Sequence, residues 1–292
     1  MELFIHQVLS GLATGAIYAL VALSIVMIYQ AIHHLNFAQG EMAMFSTFIA
    51  WQLMAWGMPF WGAFILTVAL SFVIGVLIER IVFKPIHNAP VLSHIVAFIA
   101  LFAIINSLAG FIWEFNIKPF PSPFGTGPLI GQGLMSMHEG GMIAVTLGLV
   151  AFLYVFFRYT SIGLAMRAAA ENPASARLVG IRVGWMTALG WGMASSIGAV
   201  AGMLIAPVVF LEPNMMLIIL LYGFAGAVLG GLTNPGGAVL GGLIVGVVEA
   251  LAGTYIPQIG SELKQPIALF LIVAVLVFRP TGLLGRKIVQ RV

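Results

Sequence analysis

Residues 3–30 read LFIHQVLSGLATGAIYALVALSIVMIYQ, without one Asp, Glu, Lys or Arg. At 1.5 Å per residue a helix of this length exceeds the bilayer's hydrocarbon core, which takes about 20 apolar residues to cross. A transmembrane β-strand alternates apolar and polar residues over about ten positions, and this run does not alternate. Lipid offers no partner to backbone N–H and C=O groups, so a continuous apolar run is expected as a helix. The run is too long for a secretory h-region, and the first charge in the chain is Glu2 rather than a basic cluster. It is expected to be a retained first helix.

The same pattern recurs outward from there. Stretches 61–77, 90–112, 142–157, 185–210 and 266–278 are further expected spans. Residues 41–56 are apolar but short. Residues 218–252 are apolar throughout but split by Thr233-Asn234-Pro235-Gly236-Gly237, where a Pro–Gly break removes a helical hydrogen bond and lets the chain turn. That break is either a tight loop between two crossings or the tip of two half-helices. About eight or nine helical segments result. Composition agrees: 61% of residues are hydrophobic, 7% are charged and the mean hydropathy is +1.11, against about 25% charged in a soluble domain. The expected fold is an all-α polytopic transmembrane bundle, one domain over residues 1–292, with broken or re-entrant helices an option at the breaks.

Lys and Arg set the expected orientation. Arg80 and Lys84, then Arg158, Arg167, Arg177 and Arg182, then Arg279, Arg286, Lys287 and Arg291 form three basic regions, expected to be cytoplasmic. The Pro- and Gly-rich loop 113–141 carries Lys118 against Glu114 and Glu139, and it is expected outside, as is 254–264. The N-terminus is then external and the C-terminus internal. Trp51, Trp56 and Trp61 fit an aromatic belt at the outer boundary.

Glycines recur four apart in apolar stretches: Gly11 with Gly15, Gly198 with Gly202, Gly226 with Gly230, and Gly242 with Gly246. This spacing lets helix backbones approach closely in lipid. The sextet at 227–232, AVLGGL, recurs at 238–243 on the other side of the Thr-Asn-Pro-Gly-Gly break, a pattern seen where discontinuous helices build transporter sites.

The longest polar segment lies in the expected cytoplasmic loop 159–184 and reads SIGLAMRAAAENPASARLVGI over 161–181. Its Ala-rich first part is expected to be helical. Asn172 is expected to cap a second, short helix with Pro173 in its first turn. Gly180 can end that helix in the left-handed region. The Ala-sized side chains leave room for a partner surface, and Glu171 and Arg177 are placed to fix register by ion pairs. An ordinary amphipathic linker is the plainer reading.

That segment is similar to the cytoplasmic coupling loop of ABC importer permeases. More narrowly, the chain resembles the branched-chain amino acid-type permease family. The likeness is carried also by GLATGAIYAL at 11–20, LNFAQGE at 35–41, Gly230-Gly231-Leu232 through Pro235-Gly236-Gly237-Ala238, and RPTGLLG at 279–285. These follow one another in family order along nearly the whole chain. One departure stands out: the importer motif begins Glu-Ala-Ala, whereas here Arg167-Ala168-Ala169 holds that place and Glu171 comes later.

The resemblance implies a second, homologous permease as partner, two ATPase subunits below, an extracytoplasmic solute-binding protein and a bacterial inner-membrane location. It implies Arg167, Ala168, Ala169, Glu171, Asn172, Ala174, Arg177 and Gly180 as the coupling surface. ATP and Mg would belong to the partner ATPases, with no cofactor in this chain. The sequence agrees independently on one point, since it contains no Gly-x-x-x-x-Gly-Lys-Ser/Thr phosphate loop. Implied cargoes are branched-chain or related amino acids and similar small polar solutes.

Enzymatic chemistry finds no footing in the residues. All nine acids are Glu, and cysteine is absent, so thiolate catalysis and an Asp-based triad are excluded. His33 and His34 are neighbours and point apart on a helix, so no metal site is expected, and there is no nucleic-acid footprint. Polar residues inside apolar segments are candidates for a wet, mostly neutral path: Asn36, Gln39, Glu41, Asn106, Thr233, Asn234 and Glu249. Three of them also have a structural reading. Glu41 is placed to cap its helix, Asn106 to bond between helices, and Glu249 to bond a neighbouring helix or reach the outer interface. A self-sufficient ion-coupled carrier or channel is the alternative function; it favours paired intramembrane charges, and here these are sparse and acidic.

Overall fold

The computed structural model describes residues 2–125, 127–130, 133–255, 264–279 and 281–285. The expectations for Pro280, Arg286, Lys287, Arg291 and most of the outer stretch 254–264 lie outside the described residues. The chain is all-α. Its helices are α1 Glu2–Ile32, α2 Gln39–Ala55, α3 Phe60–Ile78, α4 Val91–Trp113, α5 Met137–Tyr159, α6 Ser161–Glu171, α7 Pro173–Leu178, α8 Val183–Val209, α9 Met216–Gly230, α10 Pro235–Tyr255 and α11 Lys264–Phe278. A π-helical turn, Glu79–Phe83, extends α3. A small antiparallel pair, β1 Pro128–Ile130 with β2 Met135–Ser136, lies in the expected outer loop. Among the described residues six helices are long and apolar enough to cross a membrane, namely α1, α3 with its π turn, α4, α5, α8 and α10.

The break at 231–234 is a turn between α9 and α10. Helix α9 has 15 residues, about 22 Å at 1.5 Å each, and so falls short of the roughly 30 Å hydrocarbon core. The two helices face each other through glycine. A methyl at Gly226 would stand 2.7 Å from the Cα of Gly242, and Gly230 abuts Gly237. The repeated sextets thus pack across their own turn.

Two compact units divide the chain. One comprises Met1–Val26, Ser122–Ala144 and Leu217–Val292. In it α1 lies on α10, because Gly11 and Gly15 offer no side chain: a methyl at Gly15 would stand 3.0 Å from the Cα and carbonyl oxygen of Leu243. Residues 281–285 close this unit. Leu283 and Leu284 donate their N–H groups to the carbonyls of Leu229 and Gly230 at 2.7 and 3.1 Å, acceptors that the end of α9 leaves without intrahelical donors.

The other unit comprises Met27–Pro121 and Val145–Met216. Its centre is α8, packed on α2 and α3. Gly75 of α3 sits so close to α8 that a methyl there would lie 2.6 Å from the Trp191 carbonyl, and Gly202 abuts Thr47 of α2. Trp191, Phe83 and Phe98 stack into an aromatic core, with Phe83 4.5 Å from each partner ring. Helices α3, α4 and α5 keep only 22% of their apolar windows buried, against 89% for α1 and 72% for α8. The exposed apolar faces of α3–α5, among them Ile65, Leu92, Phe111 and Phe152, therefore suit lipid rather than water.

Candidate functional site: a buried polar cluster and a capped surface segment

Helix α1 ends where His33 takes φ 55, and α2 begins six residues later. The link between them is built by Asn36. Its Oδ1 accepts from Ala38 N–H at 2.9 Å, and its Nδ2 donates to Gln39 Oε1 at 3.3 Å. Gln39 Nε2 then donates to the Ala194 carbonyl of α8 at 3.0 Å. The missing side chain of Gly198 makes room for that amide, since a methyl there would lie 2.7 Å from Nε2. Asn36, Gln39 and Glu41 are 0, 0 and 1% exposed.

Glu41 makes no side-chain cap to its helix. Its Oε2 instead accepts from Asn106 Nδ2 of α4 at 3.2 Å. The same Nδ2 lies 3.1 Å from the Pro213 carbonyl and 3.2 Å from Asn214 Oδ1, in the turn that follows α8. Asn106 is thus the interhelical hydrogen-bonding residue its setting suggested. Among the described residues the one ion pair is Arg80–Glu79, so Glu41 has no cationic partner there. A carboxylate held in a bilayer interior costs roughly 2.5–3.5 kcal/mol on insertion scales. Its position in the first turn of α2 offsets part of that cost through the helix dipole.

Glu249 belongs to the first unit. Its Oε2 accepts from Tyr18 OH at 2.8 Å, and Tyr18 stacks on Tyr222 with ring centres 4.8 Å apart. Glu249 therefore bonds a neighbouring helix. The two tyrosines were absent from the sequence-based candidates. The signal for them was there, because a phenol deep in an apolar helix requires a hydrogen-bond partner. Asn234 works at the α9–α10 turn: its Oδ1 accepts from Gly237 N–H at 3.1 Å, and its Nδ2 donates to the Leu284 carbonyl at 3.0 Å. Thr233 sits in the same turn. Asn36, Gln39, Glu41 and Asn106 thus lie in one unit, and Thr233, Asn234 and Glu249 in the other.

The segment between α5 and α8 forms two short helices. Thr160 caps α6 by accepting from Gly163 N–H at 3.0 Å. Gly163, Met166 and Ala169 form its buried face, while Arg167 points outward. Asn172 caps α7 by accepting from Ser175 N–H at 3.0 Å, with Pro173 in the first turn. Gly180 follows at φ +85, left-handed as its position predicted. Glu171, Asn172, Ala174 and Arg177 are exposed, and Leu178 and Val179 stand 88 and 76% exposed.

A family model described as "Branched-chain amino acid transport system / permease component" matches residues 7–278. The chain belongs to this family. Among its relatives is the high-affinity branched-chain amino acid transport system permease protein LivH of Salmonella typhimurium, 30% identical over 99% of this chain and 98% of that one. BraD of Pseudomonas aeruginosa, described in the same words, is 30% identical with the same coverage. A probable branched-chain amino acid transport permease protein LivH of Methanocaldococcus jannaschii is 28% identical over 91% of this chain and 88% of that one. Among solved structures, PsaBC from Streptococcus pneumoniae in complex with Fab shares the fold, with a TM-score of 0.50 at 11% identity and coverage of 93 and 91%. As a member of the branched-chain amino acid permease family, the chain is an integral membrane permease subunit and not an enzyme of a catalytic family.

Proposed function

We propose that this permease is one of two membrane-spanning chains of an ATP-driven importer for branched-chain or related amino acids, and that residues 159–184 couple it to ATP hydrolysis on separate subunits. The observation that carries the reading is the α6–α7 segment. It is capped at both helix starts, anchored by Met166 and Ala169, and it displays Leu178 and Val179. A groove on an ATPase subunit would take this turn, with Arg167, Ala168, Glu171 and Arg177 setting its register. ATP and Mg are then bound by those partners, and a solute-binding protein delivers cargo from outside. The charge pattern favours an inner-membrane orientation with the N-terminus external and the C-terminus cytoplasmic. Asn36, Gln39, Glu41, Asn106, Thr233, Asn234 and Glu249 are our proposed polar lining of the path, and the branched-chain cargo named for the relatives is the proposed cargo here.

Affinity co-purification of the full chain with the ATPase subunits encoded beside it tests this reading. Wild type is expected to retain them, and a folded variant with Glu171→Ala, Arg177→Ala and Gly180→Val together is expected to lose them. A folded wild type that never retains an ATPase would sink the importer reading and favour a self-sufficient carrier. Equal retention by both would move the docking surface away from these residues.

A further inference from the structure

The amide nitrogen of Asn106 carries two hydrogens, yet three oxygens surround it: Glu41 Oε2 at 3.2 Å, the Pro213 carbonyl at 3.1 Å and Asn214 Oδ1 at 3.2 Å. An NH2 group can satisfy two of these at once, and an alkylammonium, with three donors, matches all three. One of the three acceptors is a carboxylate that is 1% exposed and lacks a cationic partner among the described residues. A neutral amide thus stands where charge complementarity calls for a cation. We propose that Glu41, Pro213 and Asn214 form the site that receives the α-ammonium group of the cargo, and that Asn106 holds the site closed until cargo arrives.

Access and selectivity follow from the same residues. Asn214 is exposed, Asn106 half-buried and Glu41 buried, so the oxygens lead inward from the surface. Asn106 lies seven residues before Trp113, the last residue of α4, about 10 Å along the helix axis. The turn carrying Pro213 and Asn214 is itself tied to the segment after α4, through Lys118 N–H to the Leu211 carbonyl at 2.9 Å and the reverse bond at 3.1 Å. By the charge pattern this is the outer side, from which cargo would enter. An arriving ammonium displaces the Asn106 NH2 from these three oxygens. Glu41 repels a carboxylate, and an uncharged solute gains no charge-assisted hydrogen bond from it. The inference rests on the importer reading, and it names the group on the cargo that the permease itself recognises.

The test uses the full chain in lipid nanodiscs, with thermal unfolding and calorimetric binding as readouts. The probes are isopentylammonium, 4-methylpentanoate and sodium chloride, each added alone. Isopentylammonium alone is expected to raise the melting temperature of wild type by several degrees at about 100 times its dissociation constant. Glu41→Gln is expected to weaken its binding at least about tenfold. Asn214→Ala, at an exposed position, is expected to weaken it several-fold and keeps the test decisive if Glu41→Gln fails to insert. No shift with isopentylammonium, an equal shift with 4-methylpentanoate or sodium, or unchanged affinity in the folded variants would each overturn the proposal. Co-purification with the ATPases is scored separately. Retention without ammonium binding overturns the site alone, whereas a chain that retains no ATPase overturns the importer reading, and with it this site's role in cargo recognition.

Discussion

The guanidinium carbon of Arg80 lies 4.0 Å from the centre of the Trp185 ring. Arg80 belongs to the π turn at the end of α3, and Trp185 to the first turn of α8, just past the α6–α7 segment. Nε and Nη2 of Arg80 are buried without hydrogen-bond partners, so the ring and the Glu79 carboxylate at 3.5 Å are what hold the charge. This contact links the exit of the proposed coupling segment to a spanning helix. Trp185→Leu is expected to destabilise the chain by about 0.5–2 kcal/mol and to lower cargo moved per ATP hydrolysed while ATPase retention stays intact. Uptake per ATP equal to wild type in reconstituted vesicles would argue against the link.

Gly15 and Gly148 should respond oppositely to a side chain. At Gly15 a Cβ would press on the backbone of Leu243, whereas at Gly148 it would meet nothing within 4 Å. Gly15→Val is expected to cost about 1–3 kcal/mol through overpacking. Gly148→Ala is expected to be neutral, or to gain up to about 1 kcal/mol from helix propensity. Melting curves in detergent check both, and a Gly15→Val chain as stable as wild type would contradict the close packing of α1 on α10.

Asn172 and Gly180 shape the proposed docking turn without needing to touch a partner. Asn172→Ala removes the cap to Ser175 N–H, worth about 1 kcal/mol. Gly180→Val forces a branched residue to φ +85, a conformation costing about 1–3 kcal/mol. Both variants are expected to weaken ATPase association several-fold with the spanning helices undisturbed. Surface-plasmon measurements on the assembled and stripped complexes would reveal it, and unchanged dissociation rates would show that the turn's shape does not matter.

Phe210 ends α8 at φ 64, ψ 158, a region occupied almost solely by glycine. Glu114 ends α4 in the same conformation, at φ 66, ψ 166. Replacing Phe210 by Gly is expected to raise stability by roughly 1–2 kcal/mol through relief of that strain, less whatever the half-exposed ring contributes. A lowered melting temperature would mean that the ring contributes more than its backbone costs.

Much of this architecture was legible in the residues. Long uncharged runs gave the helices, Pro235-Gly236-Gly237 gave the break before α10, and Asn172-Pro173 gave the start of α7. All four glycine pairs named from their spacing contain a member at a close backbone approach. The π turn was not legible: it carries α3 on to Phe83, past the expected end at 77, and no residue pattern distinguishes it from ordinary helix. The short β-pair in the Pro- and Gly-rich loop was missed for want of alternation over so few residues. Helix α5 begins at Met137 rather than 142, because Glu139 accepts from Ser136 N–H at 2.7 Å and closes a capping box there. The polar residues inside the apolar runs stood out in the sequence, but their hydrogen-bond partners did not. Glu41 and Asn106 are 65 residues apart, and Tyr18 and Glu249 are 231 apart. Such pairings depend on helix register and neighbourhood, which a single sequence does not encode visibly.

The seat of α1 on α10 also sets a timetable for biogenesis. The glycines at 11 and 15 are made well over 200 residues ahead of their complement at 243–247. At roughly 5–20 residues per second, the first helix waits on the order of ten seconds or more in the membrane with its thin face unfilled. Anything that shields small-residue helix faces during synthesis would be drawn to this one, and a ribosome stalled before residue 243 would leave it without its native mate.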